Sequence, residues 1–345
     1  MSINQIIPVL ILVEVIIILL FFLIVLSRKI FIYFEDKRIA IQRAEISRLL
    51  NEYIIHDKPF PLKQELKAPS CRKILLTTLE AYDRRFNGED WKRLRKDVAE
   101  HYLLPTARKW AKSLFWTKRN FAARCFACAP FMEDETEIIT LMDDPIFLVR
   151  SIAAVAAIQL EIKDAVIKVI RHMSVTPGYA HFFYRDVLVQ GSAQVFQWVE
   201  ELASEEKDPS IHLSCLEVLA SKTMEIRQPF LKEDLKSDNL KIRLAAIKSY
   251  TYSPQYDHTD ILFKFLQDPN VRIRTEAIRG LEFILTEQSY VELGKALKDD
   301  LWVVRFQAAN TLKKMGRKGL DILNEQDRIK NKEAYEVAQF VLQTP

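Results

Sequence analysis

The cysteine pair in CFAC, residues 125–128, is the pattern in this sequence that comes nearest to a chemical site. Its spacing is that of a redox dithiol or of one half of a zinc site. A second CxxC or a nearby pair of histidines would complete four ligands, and the sequence has neither. Helix packing is therefore the favoured interpretation of Cys125 and Cys128, and a reactive or metal-binding role is the lesser alternative.

Two histidines form the second candidate pattern, because His181 and His212 stand at equivalent places in successive units of a repeat described below. A ligand bridging them is the minor alternative to two histidines that replace arginine in a structural role. The sequence contains no glycine-rich phosphate loop, no nucleophile elbow and no HExxH. We therefore expect no catalytic residue, no cofactor and no metal, and a protein that is not an enzyme.

The composition indicates which elements position these side chains. The 345 residues are 49% hydrophobic and 28% charged, with only seven glycines. A chain this apolar can bury a large core, and few glycines with short polar breaks favour helices over strands. The four cysteines are too few and too unevenly spaced for a disulfide framework, which indicates a reducing compartment. We predict an all-α protein.

An internal repeat is the strongest signal in the chain. Arg119, Arg150, Arg243, Arg274 and Arg305 are separated by multiples of one fixed period, about 31 residues, and the two missing steps fall on His181 and His212. Residues three, four and seven places after each arginine are small or apolar, which puts them on one helical face. Each unit therefore predicts a helical hairpin stacked on its neighbours. Trp116 and Trp302, three places before the arginine, are expected in the core.

The segments DDPIFLVRSIAAVAA, DNLKIRLAAIKSY, DPNVRIRTEAI and DDLWVVRFQAANTL resemble the second helix of HEAT repeats, over about residues 115–343. The period is shorter than the roughly 40–47 residues of standard HEAT units and is similar to the compact bacterial variety. The resemblance implies a right-handed α-solenoid of about seven to eight hairpins. It also implies a structural ladder between repeats, made by Asp144, Arg150, Asp238, Arg243, Asp268, Arg274, Asp299 and Arg305.

The N-terminal segment predicts a membrane anchor. Residues 6–26 are apolar except for Pro8 and Glu14, which is long enough for one transmembrane helix. Basic residues follow this span and none precedes it, so we expect residues 28–345 in the cytoplasm, at a bacterial inner membrane. Glu14 is either a neutral acid that the span tolerates or a residue that contacts a partner helix. The second is the favoured interpretation, because ionisable residues inside a membrane usually have a functional partner.

Six segments follow from these patterns: a short tail at 1–5, the transmembrane helix at 6–26, a juxtamembrane helix at 27–57, a proline-containing connector at 58–69, a helical cap at 70–114 and the solenoid at 115–345. From Arg84 to Arg124 there are 12 basic and four acidic residues. Contact of this basic region with anionic lipid headgroups and an ordinary solvated charged face both remain open.

The function expected from the sequence is that of a non-catalytic scaffold, because extended helical arrays use their surfaces for recognition. We expect a protein partner, in particular an integral membrane protein such as an enzyme or a secretion complex. Arg124, Lys248 and Arg279 are the candidate partner surface, five places after the repeat arginine. That position mixes charge signs along the chain, so nucleic acid is not expected. Because some HEAT-like proteins are enzymes, including bilin lyases, the alternative is a lyase or a small-molecule-binding protein at the membrane.

Overall fold

The computed structural model describes residues 3–56, 69–221, 229–252 and 259–344. These residues form helices joined by short turns and contain no strand. The chain divides into two compact units, Met1–Ala156 and Ala157–Pro345. The all-α prediction is confirmed, and the helices form a helical-repeat solenoid.

The first unit contains a long N-terminal helix followed by shorter ones. The helices are α1 (Ile3–His56), α2 (Pro69–Asp83), α3 (Glu89–Tyr102), α4 (Leu104–Ala111), α5 (Trp116–Cys128), α6 (Glu135–Leu141) and α7 (Phe147–Gln159), and the boundary between the units falls within α7. The predicted tail, span and juxtamembrane helix are one continuous helix from residue 3 onward. Residues 58–68 of the predicted connector lie outside the described residues.

Helix α1 has an apolar section that no other described part of the first unit covers. Every residue from Val15 to Leu26 has 41–68% of its surface exposed, and the helix is long and apolar enough to cross a membrane, with a mean hydropathy of 2.8 in its most apolar window. Further along, Ile46, Leu49 and Leu50 are buried and α1 packs on α2. One helix therefore combines an uncovered apolar section with a section that belongs to the folded unit.

The second unit is built from the remaining helices that the structure describes. They are α8 (Lys163–Val175), α9 (Tyr179–Val189), α10 (Ala193–Glu205), α11 (Pro209–Leu219), α12 (Pro229–Asp234), α13 (Leu240–Tyr252), α14 (Thr259–Phe265), α15 (Val271–Gly280), α16 (Glu287–Ala296), α17 (Trp302–Lys314), α18 (Arg317–Asn324) and α19 (Lys332–Gln343). In this unit each odd-numbered helix from α9 onward packs on the next odd-numbered helix, from α9 on α11 to α17 on α19.

The period of the sequence repeat sets where the second helix of each hairpin begins. From α5 to α19, the odd-numbered helices start one period apart to within a single position, and those that carry the repeat arginine place it in the first turn. The small and apolar residues that follow the arginine are buried, as predicted: Ala122, Ala123, Phe126, Ala153, Ala154, Ala157, Ala246, Ile247, Tyr250, Ala277, Ile278, Leu281, Ala308, Ala309 and Leu312. Alanine at the contact lets neighbouring helices approach closely, and the larger residue one or two turns later fills the space between them.

Two tryptophans depart from the expectation of a core position. Trp116 and Trp302 are 46% and 54% exposed. Both are the first residue of the second helix of their hairpin. They therefore lie at the turn, before the residues that pack on the next repeat. Position within the repeat, and not side-chain type, decides whether an aromatic residue is buried here.

Candidate protein-binding site

The repeat arginines fasten the turn that leads into each second helix. Nη1 of Arg274 donates to the carbonyl oxygens of Asp268, at 2.8 Å, and Pro269, at 3.4 Å. The other arginines make the same pair of bonds to the carbonyls six and five places before them: Arg119 to Ser113 and Leu114, Arg150 to Asp144 and Pro145, Arg243 to Ser237 and Asp238, and Arg305 to Asp299 and Asp300. Carbonyls that the turn leaves without a partner are thereby satisfied.

Two of these arginines also reach a carboxylate of the next repeat. Arg274 binds Asp299 through Nε at 3.0 Å and Nη2 at 3.1 Å, and Arg119 binds Asp144 through Nε and Nη2. Burial raises the pKa of Asp144, but hydrogen bonds from Arg119 and from the backbone of Ile146 outweigh it, so the pKa lies below its usual value. Both pairs are mostly buried. Arg119 donates two hydrogen bonds to Asp144, the geometry in which an arginine bridge is strong, whereas Arg274 donates one, from Nη2, and holds Nε at ion-pair distance from Asp299.

Three aspartates of the predicted ladder hold the turn before the second helix, and two of them, Asp144 and Asp299, also bind an arginine of the preceding repeat. Oδ1 of Asp144, Asp268 and Asp299 each accepts the backbone N–H two residues later, which holds the turn before the helix. Asp238 does not share this place, because Ser237 occupies the sixth position before Arg243 and the side chain of Asp238 is exposed. Asp238 lies one residue later than the equivalent aspartates. The sequence pattern matched in spite of this offset, but the side chain of Asp238 does not form the hydrogen bond that the other aspartates form.

The other three arginines of the predicted ladder differ in whether they meet a carboxylate beyond their own turn. Arg305 binds Glu333 of the last repeat at 2.8 Å. Arg150 and Arg243 have no carboxylate within ion-pair distance among the described residues, and Asp268 does not pair with Arg243. The ladder is therefore continuous in its bonds to turn carbonyls and discontinuous in its ion pairs.

Histidines at two steps bond in the manner of the arginines. His181 places Nδ1 2.9 Å from the carbonyl oxygen of Met173 and Nε2 2.6 Å from Glu217. His212 places Nδ1 3.0 Å from the carbonyl oxygen of Ala203 and Nε2 2.9 Å from Asp234. The hydrogen bond to Asp234 raises the pKa of His212. Because each ring already contacts a carbonyl and a carboxylate, neither is free to bridge a ligand to the other.

A groove in the second unit lies beside His181 and has a volume of about 990 Å³. The turn at 174–178 and the exposed faces of α9, α11 and α13 form it. The residues that line it include the small side chains of Ser210, Ser214 and Ala245 and the larger ones of Phe182, Arg185, Glu217, Lys241 and Lys248. Ser214 and Ala245 stand at the same step of the repeat, two places after His212 and Arg243, and their small side chains leave space between the larger ones.

The charged side chains of the groove that form no ion pair among the described residues are lysines. Arg185 pairs with Asp186 at 2.9 Å, and Glu217 is engaged by His181. Lys241 and Lys248 form no ion pair among the described residues, and they stand two helical turns apart on one face of α13. The groove therefore presents two ammonium groups that form no ion pair among the described residues, and Lys248 lies near enough to the buried Glu276 to favour the charged form of that carboxyl group.

The three residues of the predicted partner surface have different environments. Lys248 lines the groove. Arg279 is 44% exposed at its side chain and binds the buried Glu276 at 3.0 Å. Arg124 lies in the first unit, where Nε donates to Glu80 at 2.9 Å, so its guanidinium ties α5 to α2. Sequence reasoning missed Lys241, Phe182 and Arg185, which stand at different distances from the repeat cation, so no common spacing marked them.

The cysteines occupy packed positions. Cys71, Cys125, Cys128 and Cys215 are free and buried, and burial raises the pKa of the Cys128 and Cys215 thiols to about 12. A protonated buried thiol is a poor nucleophile and a poor metal ligand. Within the described ranges no group of three or more histidine, cysteine or acidic side chains is placed to hold a metal ion.

Comparisons with known proteins agree with the repeat in the C-terminal part. The family model described as HEAT repeats matches residues 228–313 and 259–338. No curated protein sequence matches the chain. Two solved structures show 17% and 14% sequence identity: Escherichia coli YibA, over 75% of this chain and 99% of that one with a TM-score of 0.37, and human deoxyhypusine hydroxylase in complex with glycerol, over 88% and 96% with a TM-score of 0.30. Residues 228–338 are thus similar to HEAT repeats, and this segment contains Arg243, Arg274 and Arg305.

Proposed function

We propose that this protein is a non-catalytic scaffold that α1 anchors in a membrane and that binds a protein partner in the groove formed by α9, α11 and α13. The observation that carries the proposal is the uncovered apolar section of α1, from Val15 to Leu26. An exposed apolar surface of that length is unfavourable in water and is satisfied by a bilayer, because a helix leaves no backbone hydrogen bond unmade there.

The residues that flank this section support a cytoplasmic location for the repeats. Arg28 and Lys29 follow it directly, and Lys37, Arg38 and Arg43 come within the next few turns of the same helix. Positive charge near a span favours the cytoplasmic side. In this orientation the helical repeats lie on the cytoplasmic side of the membrane. Because the short repeat period is similar to that of the compact bacterial HEAT variety, we assign the membrane to a bacterial inner membrane.

Glu14 supports a partner that itself spans the membrane. It is exposed on α1, at the start of the uncovered apolar section. An acidic side chain in a bilayer costs a few kcal/mol unless it is neutral or meets a polar group of another helix. A contact with a transmembrane helix of the partner would remove that cost, so Glu14 and the groove would bind two parts of one integral membrane protein.

The groove favours an acidic segment of that partner. Lys241 and Lys248 offer ammonium groups that form no ion pair among the described residues, and Phe182 offers an aromatic surface that is 53% exposed. Charge complementarity of this kind sets which partner binds and how fast, more than it sets the total affinity. A peptide with carboxylates about two helical turns apart would meet both lysines.

The test is purification of the full-length chain from solubilised membranes. We expect a partner at a fixed stoichiometry with the unaltered protein, and its loss when Lys241→Glu and Lys248→Glu are combined. Lys264→Glu is the matched control, because Lys264 is exposed on α14 and does not line the groove. Equal recovery of the partner with both variants would contradict binding in the groove.

A small-molecule-binding protein at the membrane is the second candidate, and the groove volume favours it. About 990 Å³ is within the range of sites for small ligands. Native mass spectrometry of the purified chain separates the two functions. A bound molecule of defined mass that is lost with Lys248→Glu, in preparations without a partner protein, would support the second candidate.

A further inference from the structure

The turn between α4 and α5 displays three consecutive large apolar side chains. Leu114, Phe115 and Trp116 are 95%, 67% and 46% exposed, which makes this the most exposed apolar turn described in the first unit outside α1. Isolated exposed apolar residues need no explanation, but three in a row at the tip of a turn form a patch of the kind that contacts another surface.

This turn is held in place by hydrogen bonds. Nη1 of Arg119 donates to the carbonyl oxygens of Ser113 and Leu114, both at 2.9 Å. The backbone N–H of Phe115 donates to Oγ of Ser113 at 3.3 Å. The apolar side chains therefore point outward from a fixed backbone, and no ordering of the turn has to accompany binding.

Lysines flank the turn, and two acidic residues from outside this segment, Glu137 and Asp144, pair with Lys112 and Arg119. No acidic residue occurs between 101 and 132. Lys118 Nζ lies 5.3 Å from the ring centroid of Phe115, Lys109 is exposed, and Lys112 reaches Glu137 at 3.0 Å. Aromatic rings beside lysines are the combination that settles at the boundary between lipid chains and headgroups.

The packed part of the first unit begins only a short distance along α1 from its apolar section. The exposed apolar residues of α1 continue past Arg28 and Lys29 to Phe34, which is 63% exposed. Ile39 is the first residue of α1 after the apolar section that is partly covered. Five residues of helix span about 7.5 Å, so the folded part starts roughly one and a half turns beyond the aromatic end of the apolar run.

We infer that the turn Leu114–Trp116 is a second membrane contact, which inserts its side chains among the headgroups of a bilayer that contains anionic lipid. The inference rests on the proposed anchoring by α1. Anchoring makes the second contact intramolecular, so a patch too small to hold a free protein on a membrane suffices here. Its lysines meet anionic headgroups, which favours vesicles that contain anionic lipid over neutral ones.

The test places an environment-sensitive dye at single introduced cysteines of the full-length chain in vesicles. The four native cysteines are buried, so the introduced thiols are the ones that react. Leu114→Cys reports the turn, Phe22→Cys reports α1, and Asn87→Cys is the control in an exposed polar turn of the same unit. Vesicles of phosphatidylcholine with phosphatidylglycerol carry a nitroxide quencher near the headgroups or deeper in the acyl chains.

We expect loss of fluorescence with the shallow quencher at Leu114→Cys, with the deep quencher at Phe22→Cys, and with neither at Asn87→Cys. The loss at Leu114→Cys should decrease without phosphatidylglycerol, and also when Phe115→Ser and Trp116→Ser are combined, with the helical circular dichroism unchanged. Quenching at Phe22→Cys without quenching at Leu114→Cys would overturn this inference and leave the anchor intact. Absence of quenching at Phe22→Cys would instead overturn the anchor.

Discussion

Replacing Arg274 by methionine tests whether the rungs hold the repeats together. The guanidinium donates from Nη2 to Asp299 of the next repeat, holds Nε at ion-pair distance from the same carboxylate, and donates to the carbonyl oxygen of Asp268 in its own turn. Methionine keeps most of the apolar stem and removes all of these bonds. Asp299 is then left with one backbone N–H and no counter-charge.

The magnitude follows from how far the pair is buried. The side chains of Arg274 and Asp299 are 13% and 16% exposed. Removing one partner of a buried pair costs about 3–5 kcal/mol, and the remaining exposure puts this case at the lower end, about 3 kcal/mol. For a unit of about 190 residues, each kcal/mol lowers Tm by roughly 2–4 °C, so we expect a decrease of about 6–12 °C.

Two measurements test this: the Tm of thermal unfolding, and the rates of amide hydrogen exchange in α15 and α17 of the native protein. In stacked repeats the stability of an interface is a local quantity, so exchange should accelerate first in these two helices. Arg272→Met is the matched control, because Arg272 is exposed on α15 and should change stability by about 0.5 kcal/mol or less. Equal effects of Arg272→Met and Arg274→Met would refute a structural role for the rung.

Three further changes have defined outcomes. Because its carboxylate partner raises the pKa of His212, the stability this bond contributes should be complete below about pH 6.5 and decrease as the pH rises through the folded-state pKa; thermal unfolding against pH measures it, and His212→Gln should remove that dependence. With its pKa raised to about 12, the buried Cys128 thiol should resist maleimide at pH 8 until the protein is unfolded, and labelling of the native chain at a rate typical of free cysteine would contradict this environment. A Cβ at Gly319 would lie 1.9 Å from the carbonyl oxygen of Leu312, so Gly319→Ala should cost about 3 kcal/mol or more, whereas at Gly294 the nearest atom is 3.9 Å away and alanine should stabilise by about 0.5 kcal/mol; equal urea midpoints would contradict the packing.

The helical repeat could be predicted from the sequence because one constraint recurs at every step. A cation in the first turn and a small residue three places later recur in most second helices, so their spacing marks these helices. The hairpin of α8 and α9 forms although its motif is blurred, with Tyr184 buried where other repeats have a small residue. Packing between neighbours tolerated the larger side chain there, which the motif alone does not reveal.

The groove could not be predicted, since it combines one turn with faces of three helices that belong to successive units of the repeat. The expected partner surface selected Lys248 by its place in the repeat and missed Lys241, which completes the pair of free cations. For Arg124, the position after the repeat cation suggested exposure, but Glu80 from outside the periodic segment binds it. Contacts from residues that do not follow the period have no signature in the pattern.

Alkaline extraction of membranes from cells that produce the full-length chain tests the anchored scaffold most directly. The account predicts that the protein stays in the membrane pellet at high pH and is released by detergent alone, and that removal of residues 1–26 transfers it to the soluble fraction. A full-length chain of unchanged mass that washes off the membrane, or that is found in the soluble fraction from the outset, would contradict it.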